Sequence, residues 1–181
     1  MPVQSIISFG SGESVIEYLI KNKCKSVINF DVSDFDKKLI NHNRYLYGDI
    51  FSDYVVHDIK SGHLDLPSDK YQLALVNAVI YVLNQKEAKL LINNLALAKI
   101  EYILIVHTAQ LFIFNEIIKS IKNIIKKTIL IRDNKKTFWG WSRYKYEIIS
   151  IAKSQGYQLV KYDSPDFGNY KRGIYLFRKE M

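Results

Sequence analysis

Val3-Gln4-Ser5-Ile6-Ile7-Ser8-Phe9-Gly10-Ser11-Gly12-Glu13, then an amphipathic stretch, then Ser26-Val27-Ile28-Asn29-Phe30-Asp31, is the segment on which the fold turns. An apolar run, a glycine turn, a helix and a second apolar run closed by an acid make the opening βαβ unit of a nucleotide-type site. Gly10 can take a backbone conformation closed to other residues, and Gly12 lets the chain approach a ligand closely. A helix starting near Glu13 aims its unpaired N–H groups at any anionic group placed there. Asp31, at the expected strand end, is positioned to accept both hydroxyls of a ribose.

The rest of the chain continues the alternation. Tyr54-Val55-Val56-His57-Asp58-Ile59 reads as a third strand ending in an acid, after a polar, irregular stretch from Asp34 to Tyr47 with room for one short helix. Tyr71 to Asn77 is a near-continuous apolar run, as a parallel strand covered on both faces requires. Ala88, Leu91, Ile92, Leu95 and Ala98 mark a helix over residues 85–98, and residues 101–107 form the next buried strand. Ile113, Ile117, Ile121 and Ile124 fall on one stripe of a helix over 111–125. A helix over 143–154 stops before Gly156. Tyr157–Tyr162 and Gly173–Arg178 are two strands whose short, turn-rich link makes them antiparallel. The expected fold is α/β, a doubly wound, mostly parallel sheet with a C-terminal antiparallel hairpin, in one domain over 1–181, its ligand crevice at the carboxyl ends of the central strands.

Composition bounds the setting. No apolar run approaches the roughly 20 residues that cross a bilayer, and with Met1 directly ahead of the first strand no signal peptide is expected. A lone Cys24 cannot form an internal disulfide, so a soluble, reducing, cytoplasmic setting is expected. The net charge of +8 raises nucleic acid as a partner. Apart from a concentration at Lys119, Lys122, Lys126 and Lys127 the lysines are scattered, which favours a solvated basic surface. His57 and His63 are too few for a metal site, and none is expected.

With this order of elements, Ile6-Ile7-Ser8-Phe9-Gly10-Ser11-Gly12 resembles motif I of the class I S-adenosylmethionine-dependent methyltransferases, and the resemblance runs through most of the chain. It implies S-adenosylmethionine as cofactor, held by Phe9, Gly10, Ser11 and Gly12. Asp31 and Val32 then lie at the ribose, Asp58 and Ile59 at the adenine, and Asn77 and Ala78 at the end of the fourth strand. Phe138-Trp139-Gly140-Trp141-Ser142-Arg143 is similar to a late aromatic-Gly-aromatic-x-Arg segment of many small-molecule and sugar methyltransferases. The chain departs from the pattern at Ser8, where the family usually has an acid, and at Ser14, in place of the third glycine.

Methyl transfer from a sulfonium chiefly needs alignment and exclusion of water, and a hydroxyl acceptor also needs a base. His107, closing the fifth strand, is the candidate base, with a loop-capping histidine as the plainer alternative; Tyr81 lines the methyl channel or packs in the core. Trp139, Trp141 and Arg143 can clamp a sugar, a planar ring or an anion, or serve as a lid over the sheet edge. Asn77-Ala78-Val79-Ile80 lacks the Pro-Pro-aromatic run of enzymes that methylate base amines. The expected activity is methylation of a small-molecule or saccharide hydroxyl. The alternative is a non-catalytic module, alone or as a subunit or homo-oligomer, presenting a basic face to protein or nucleic acid. A nicotinamide enzyme would want glycine at Val15.

Overall fold

The structure, a computed structural model, describes residues 2–62, 64–107, 110–111, 141, 143–167 and 170–180. Five strands alternate with helices: β1 (Ser5–Phe9), α1 (Val15–Lys23), β2 (Asn29–Asp34), α2 (Lys37–Tyr47), β3 (Asp53–Val56), β4 (Leu73–Asn77), α3 (Gln85–Leu97) and β5 (Tyr102–His107). Two short strands follow, β6 (Gln110–Leu111) and β7 (Arg143–Tyr144), then α4 (Lys145–Lys153), β8 (Tyr157–Asp163), the short β9 (Asp166–Phe167) and β10 (Tyr170–Lys171), and β11 (Gly173–Lys179). The main sheet has the order β3-β2-β1-β4-β5-β11-β8. β1 to β5 pair in parallel and β11 runs antiparallel to both β5 and β8. The doubly wound sheet with its terminal hairpin is as expected.

Burial on both faces explains the apolar strands. On one face Ile7, Phe9, Val76, Ile103, Ile105 and Phe177 pack under α3 and α4. On the other, Ile6, Phe30, Val32 and Leu75 pack with Ile40, Phe51 and Tyr54 beneath α1 and α2. The strand order reverses between β1 and β4, so the crevice of an open sheet falls at their carboxyl ends.

Several boundaries differ from expectation. β2 starts and ends three residues later than the apolar run suggests, which carries Asp31 into the middle of the strand opposite Ile7 and Asp53. The polar stretch after it is a full helix, α2, capped by Asp36, whose side chain accepts from the N–H groups of Lys38 and Leu39. β3 stops at Val56, leaving His57 and Asp58 in the loop beyond it. Arg143 and Tyr144 form β7, so the helix expected from 143 begins at Lys145. The helix expected over 111–125 meets β6 at Leu111, and its remaining residues, like the lysines at 119–127, Trp139 and His63, lie outside the described residues.

α3 starts with a reciprocal cap: Asn84 accepts from the N–H groups of Lys86 and Glu87, and Glu87 accepts from the N–H of Asn84 at 2.6 Å. Asn84→Ala is expected to cost about 1 kcal/mol, seen as a lower urea midpoint at unchanged slope. No described helix is long and apolar enough to cross a membrane.

Candidate functional site

The carboxyl ends of β1, β2 and β4 open into a cleft of about 560 Å³, within the range of small-ligand sites. One end is formed by Asp34, Phe35, His57, Asp58, Ile59 and Lys60. The other is formed by Gly10, Asn77 and the turn after β4, from Ala78 and Val79 through Tyr81 to Leu83. Of the expected cofactor residues, the structure thus brings Gly10, Asp58, Ile59, Asn77 and Ala78 to one cleft, with Tyr81 beside them.

Asp31 and Val32 are elsewhere. Asp31 is buried at 1% exposure, and its Oδ2 accepts from Lys70 Nζ at 2.7 Å and from the Tyr71 hydroxyl at 2.6 Å, at the amino end of β4. That contact raises the Lys70 ammonium, while burial chiefly, with the carboxylate added, pushes the Tyr71 phenol up to about 12. Val32 is core. The acid at the open end of β2 is Asp34, which the sequence reading missed: its Oδ2 accepts from the Gly12 N–H at 3.1 Å and its Oδ1 from the Asp36 N–H at 3.1 Å. The signal was available, since a second aspartate follows Asp31 by three residues and precedes the helix cap Asp36.

The glycine loop is fastened from behind. Gly10, Gly12 and Ser14 all have positive φ, 64°, 55° and 55°, so the third glycine position keeps its left-handed geometry with serine in it. Asn43 of α2 holds this arrangement, donating to the Gly12 carbonyl at 2.6 Å and to Ser14 Oγ at 2.9 Å. The Tyr47 hydroxyl donates to the Glu13 carbonyl at 2.9 Å, and the Ser11 N–H to the Ser33 carbonyl at 3.0 Å. Phe9 and Ser11 are buried under the loop rather than in the cleft wall. Ser8 stands where the family pattern has an acid, and its hydroxyl donates to Glu17 Oε1 at 2.7 Å. Glu17 is the buried residue of α1 while Val15, Ile16 and Leu19 are exposed, an inversion of the usual helix face. Burial pushes the Glu17 carboxyl up, and its second oxygen has no partner among the described residues.

At the other end of the cleft, the Asp58 carboxylate accepts from the Lys60 N–H at 2.9 Å, and Asp58 itself is exposed. His57 stacks on Phe9 with ring centroids 6.0 Å apart, its backbone N–H on the Asp34 carbonyl, and burial lowers its pKa. Phe35 stands exposed next to Asp34.

Two further expectations are corrected. His107 closes β5 opposite Gly173, is fully buried and does not line the cleft. Its face of the strand is the core face of Ile103 and Ile105, which explains the burial. Arg143 is buried as well, and its guanidinium donates to the carbonyls of Ile80 and Leu83 rather than facing a ligand. Trp141 is half-exposed, with its N–H on the Tyr81 carbonyl. Among the described residues no three His, Cys, Asp or Glu side chains gather as a metal site would.

No family model matches the chain, and no curated protein matches it in sequence. Solved structures do match in shape. Magnesium protoporphyrin IX methyltransferase from Synechocystis PCC 6803, with bound S-adenosylhomocysteine (SAH), is 12% identical, 99% of this chain aligning with 75% of that one at a TM-score of 0.71. A SAM-dependent methyltransferase from Methanosarcina mazei is 13% identical over 100% of this chain and 94% of its own, at 0.74. Mitomycin 7-O-methyltransferase is 10% identical at 0.71; 98% of this chain aligns with 49% of it, so the chain spans about half that enzyme's length. The strand order, the terminal hairpin and these superpositions establish that the chain has the fold of the class I S-adenosylmethionine-dependent methyltransferases.

Proposed function

We propose that the chain is an S-adenosylmethionine-dependent methyltransferase acting on a hydroxyl of a small molecule or saccharide. The observation that carries this reading is the Asp34 carboxylate at the open end of β2, joined to the Gly12 N–H of the loop after β1, in the cleft at the carboxyl ends of the strands. Structural neighbours with this fold include methyltransferases named for small-molecule substrates.

The residues present fit an adenosyl group. Each Asp34 oxygen accepts one backbone N–H and keeps acceptor capacity for a ribose hydroxyl. Phe35 and Ile59 offer apolar faces to a planar base, and Asp58 an acceptor for its exocyclic amine. Gly10 lines the cleft; Gly12 does not, but its N–H meets the Asp34 carboxylate and a Cβ placed on it would meet no atom within 4 Å. Bound S-adenosylmethionine would supply an electrophilic methyl on a sulfonium whose charge vanishes on transfer. The chain's share is then to align donor and acceptor and keep water out, a task for Val79, Tyr81 and Leu83 beside Asn77.

Burial of His107 favours a second reading, a methyltransferase-like module that binds without turnover, using its basic surface for a protein or nucleic acid or joining a second copy. Calorimetry with SAH separates the two. Micromolar binding is expected for the enzyme; absence of binding, with a salt-dependent shift on RNA or DNA, supports the module, because phosphate contacts release counterions. A screen of candidate acceptors with labelled cofactor tests turnover.

A further inference from the structure

The wall of the cleft after β4 is a turn held largely from outside itself. Ala78, its first residue, takes a left-handed conformation at φ 54°, which a side chain disfavours. Two backbone hydrogen bonds tie that start down: the Ala78 N–H donates to the Val106 carbonyl, and the Val82 N–H to the Val79 carbonyl at 3.0 Å. Three further carbonyls of the turn are taken from far along the chain. Arg143 Nη1 donates to Ile80, Arg143 Nη2 to Leu83 at 2.6 Å, and the Trp141 N–H to Tyr81. The wall so held presses on the glycine loop, because Val79 Cγ2 occupies the place a Cβ of Gly10 would need.

The guanidinium itself is supported. Burial lowers its pKa, and the carboxylates of Glu147 and Glu87 offset part of that cost. Both are helix-capping residues, Glu87 at the start of α3 and Glu147 at the start of α4, where it accepts from the Tyr144 N–H. Arg143 therefore joins two helix starts and the turn that leads into one of them. Its planar fork reaches two carbonyls three residues apart, which the single ammonium of a lysine does not reproduce.

We propose that Arg143 is a positioning residue, which pins the carbonyls of Ile80 and Leu83 and thereby fixes the Val79–Leu83 wall of the cleft against Gly10. The proposal rests on the methyl-transfer reading for the identity of the ligand in that cleft. Arg143 acts through the wall and touches neither cofactor nor acceptor.

The test compares the wild-type chain with Arg143→Lys and Arg143→Met by SAH calorimetry, thermal melting, and amide hydrogen exchange of peptides covering 78–84, with β8 and β11 as internal references. Arg143→Met is expected to speed exchange of 78–84 at least tenfold and to weaken SAH binding at least tenfold, with the reference strands unchanged. Arg143→Lys, which keeps the charge and can reach one carbonyl, should fall between. A lower melting temperature with exchange of 78–84 and SAH affinity both within twofold of wild type overturns the proposal. So does faster exchange with unchanged affinity, since the wall would then be held without consequence for the site. If Arg143→Met does not fold, Arg143→Lys decides by the same two readouts. If the wild-type chain does not bind SAH, the methyl-transfer reading falls. Exchange alone then judges the wall, with acceleration upholding the role of Arg143 and its absence overturning it.

Discussion

Asp34→Ala is expected to weaken SAH binding at least a hundredfold, while Asp31→Ala leaves the affinity of the folded protein within about twofold and lowers its stability instead. Asp34, itself buried, lines the cleft, its carboxylate already oriented by the Gly12 and Asp36 N–H groups. Hydrogen bonds from ligand hydroxyls to an ionised acceptor are worth about 1.5–3 kcal/mol each. Losing two, even at the low end, removes about 3 kcal/mol, or roughly a hundredfold in Kd. The Gly12 N–H loses its acceptor at the same time.

Asp31 has a different job. Its removal strands the hydroxyl of Tyr71, a residue 4% exposed, without its acceptor. Lys70, whose side chain is 42% exposed, returns to water at little expense. The loss is therefore nearer the unpaired-hydroxyl figure of about 1–3 kcal/mol than the larger cost of an orphaned buried charge. In a chain of this length that is a fall in melting temperature of roughly 2–12 °C. Calorimetry and thermal melts on both variants check the pair. If Asp31→Ala abolished binding and Asp34→Ala did not, the assignment of the ribose-facing acid would be reversed.

What separates these two aspartates also shows which parts of the fold could be read in the sequence. β1, β4 and β5 were legible because parallel strands buried on both faces are written as unbroken apolar runs, and the hairpin because its link is too short for a crossover. β2 was misplaced because an acid looks like a strand end. Asp31 is tolerated inside the strand only through Lys70 and Tyr71, some forty residues away, and no local pattern announces such a partner. α2 was hidden by its polarity: it buries Ile40 and Asn43, and the use of Asn43 is to bind the loop at Gly12 and Ser14. Arg143 looked like a ligand clamp because its acceptors, the carbonyls of Ile80 and Leu83, are backbone atoms with no side-chain signature. Glu17 escaped notice because it takes the inward place on α1 that periodicity reserves for an apolar residue.

The two glycines of the loop, alike in sequence and both at positive φ, are expected to fail in opposite ways. An alanine at either position pays the left-handed strain of about 1–2 kcal/mol. At Gly10 the new methyl also collides with Val79 Cγ2, in a wall held by Arg143, so the strain of overpacking adds about 1–3 kcal/mol. Gly10→Ala is thus expected to lose about 2–5 kcal/mol in urea denaturation, a large share of the roughly 5–15 kcal/mol that holds a domain together. Val79→Ala in the same chain should recover the collision and leave the strain, a coupling that a double-mutant cycle measures directly. At Gly12 the methyl meets nothing within 4 Å. Gly12→Ala should therefore keep most of the stability and, if the ligand crosses this loop beside Asp34 as proposed, lose at least tenfold in SAH affinity. If Gly12→Ala bound SAH as tightly as the wild-type chain, the ligand would not pass over this loop, and Asp34 would be holding the Gly12 N–H for structural reasons alone.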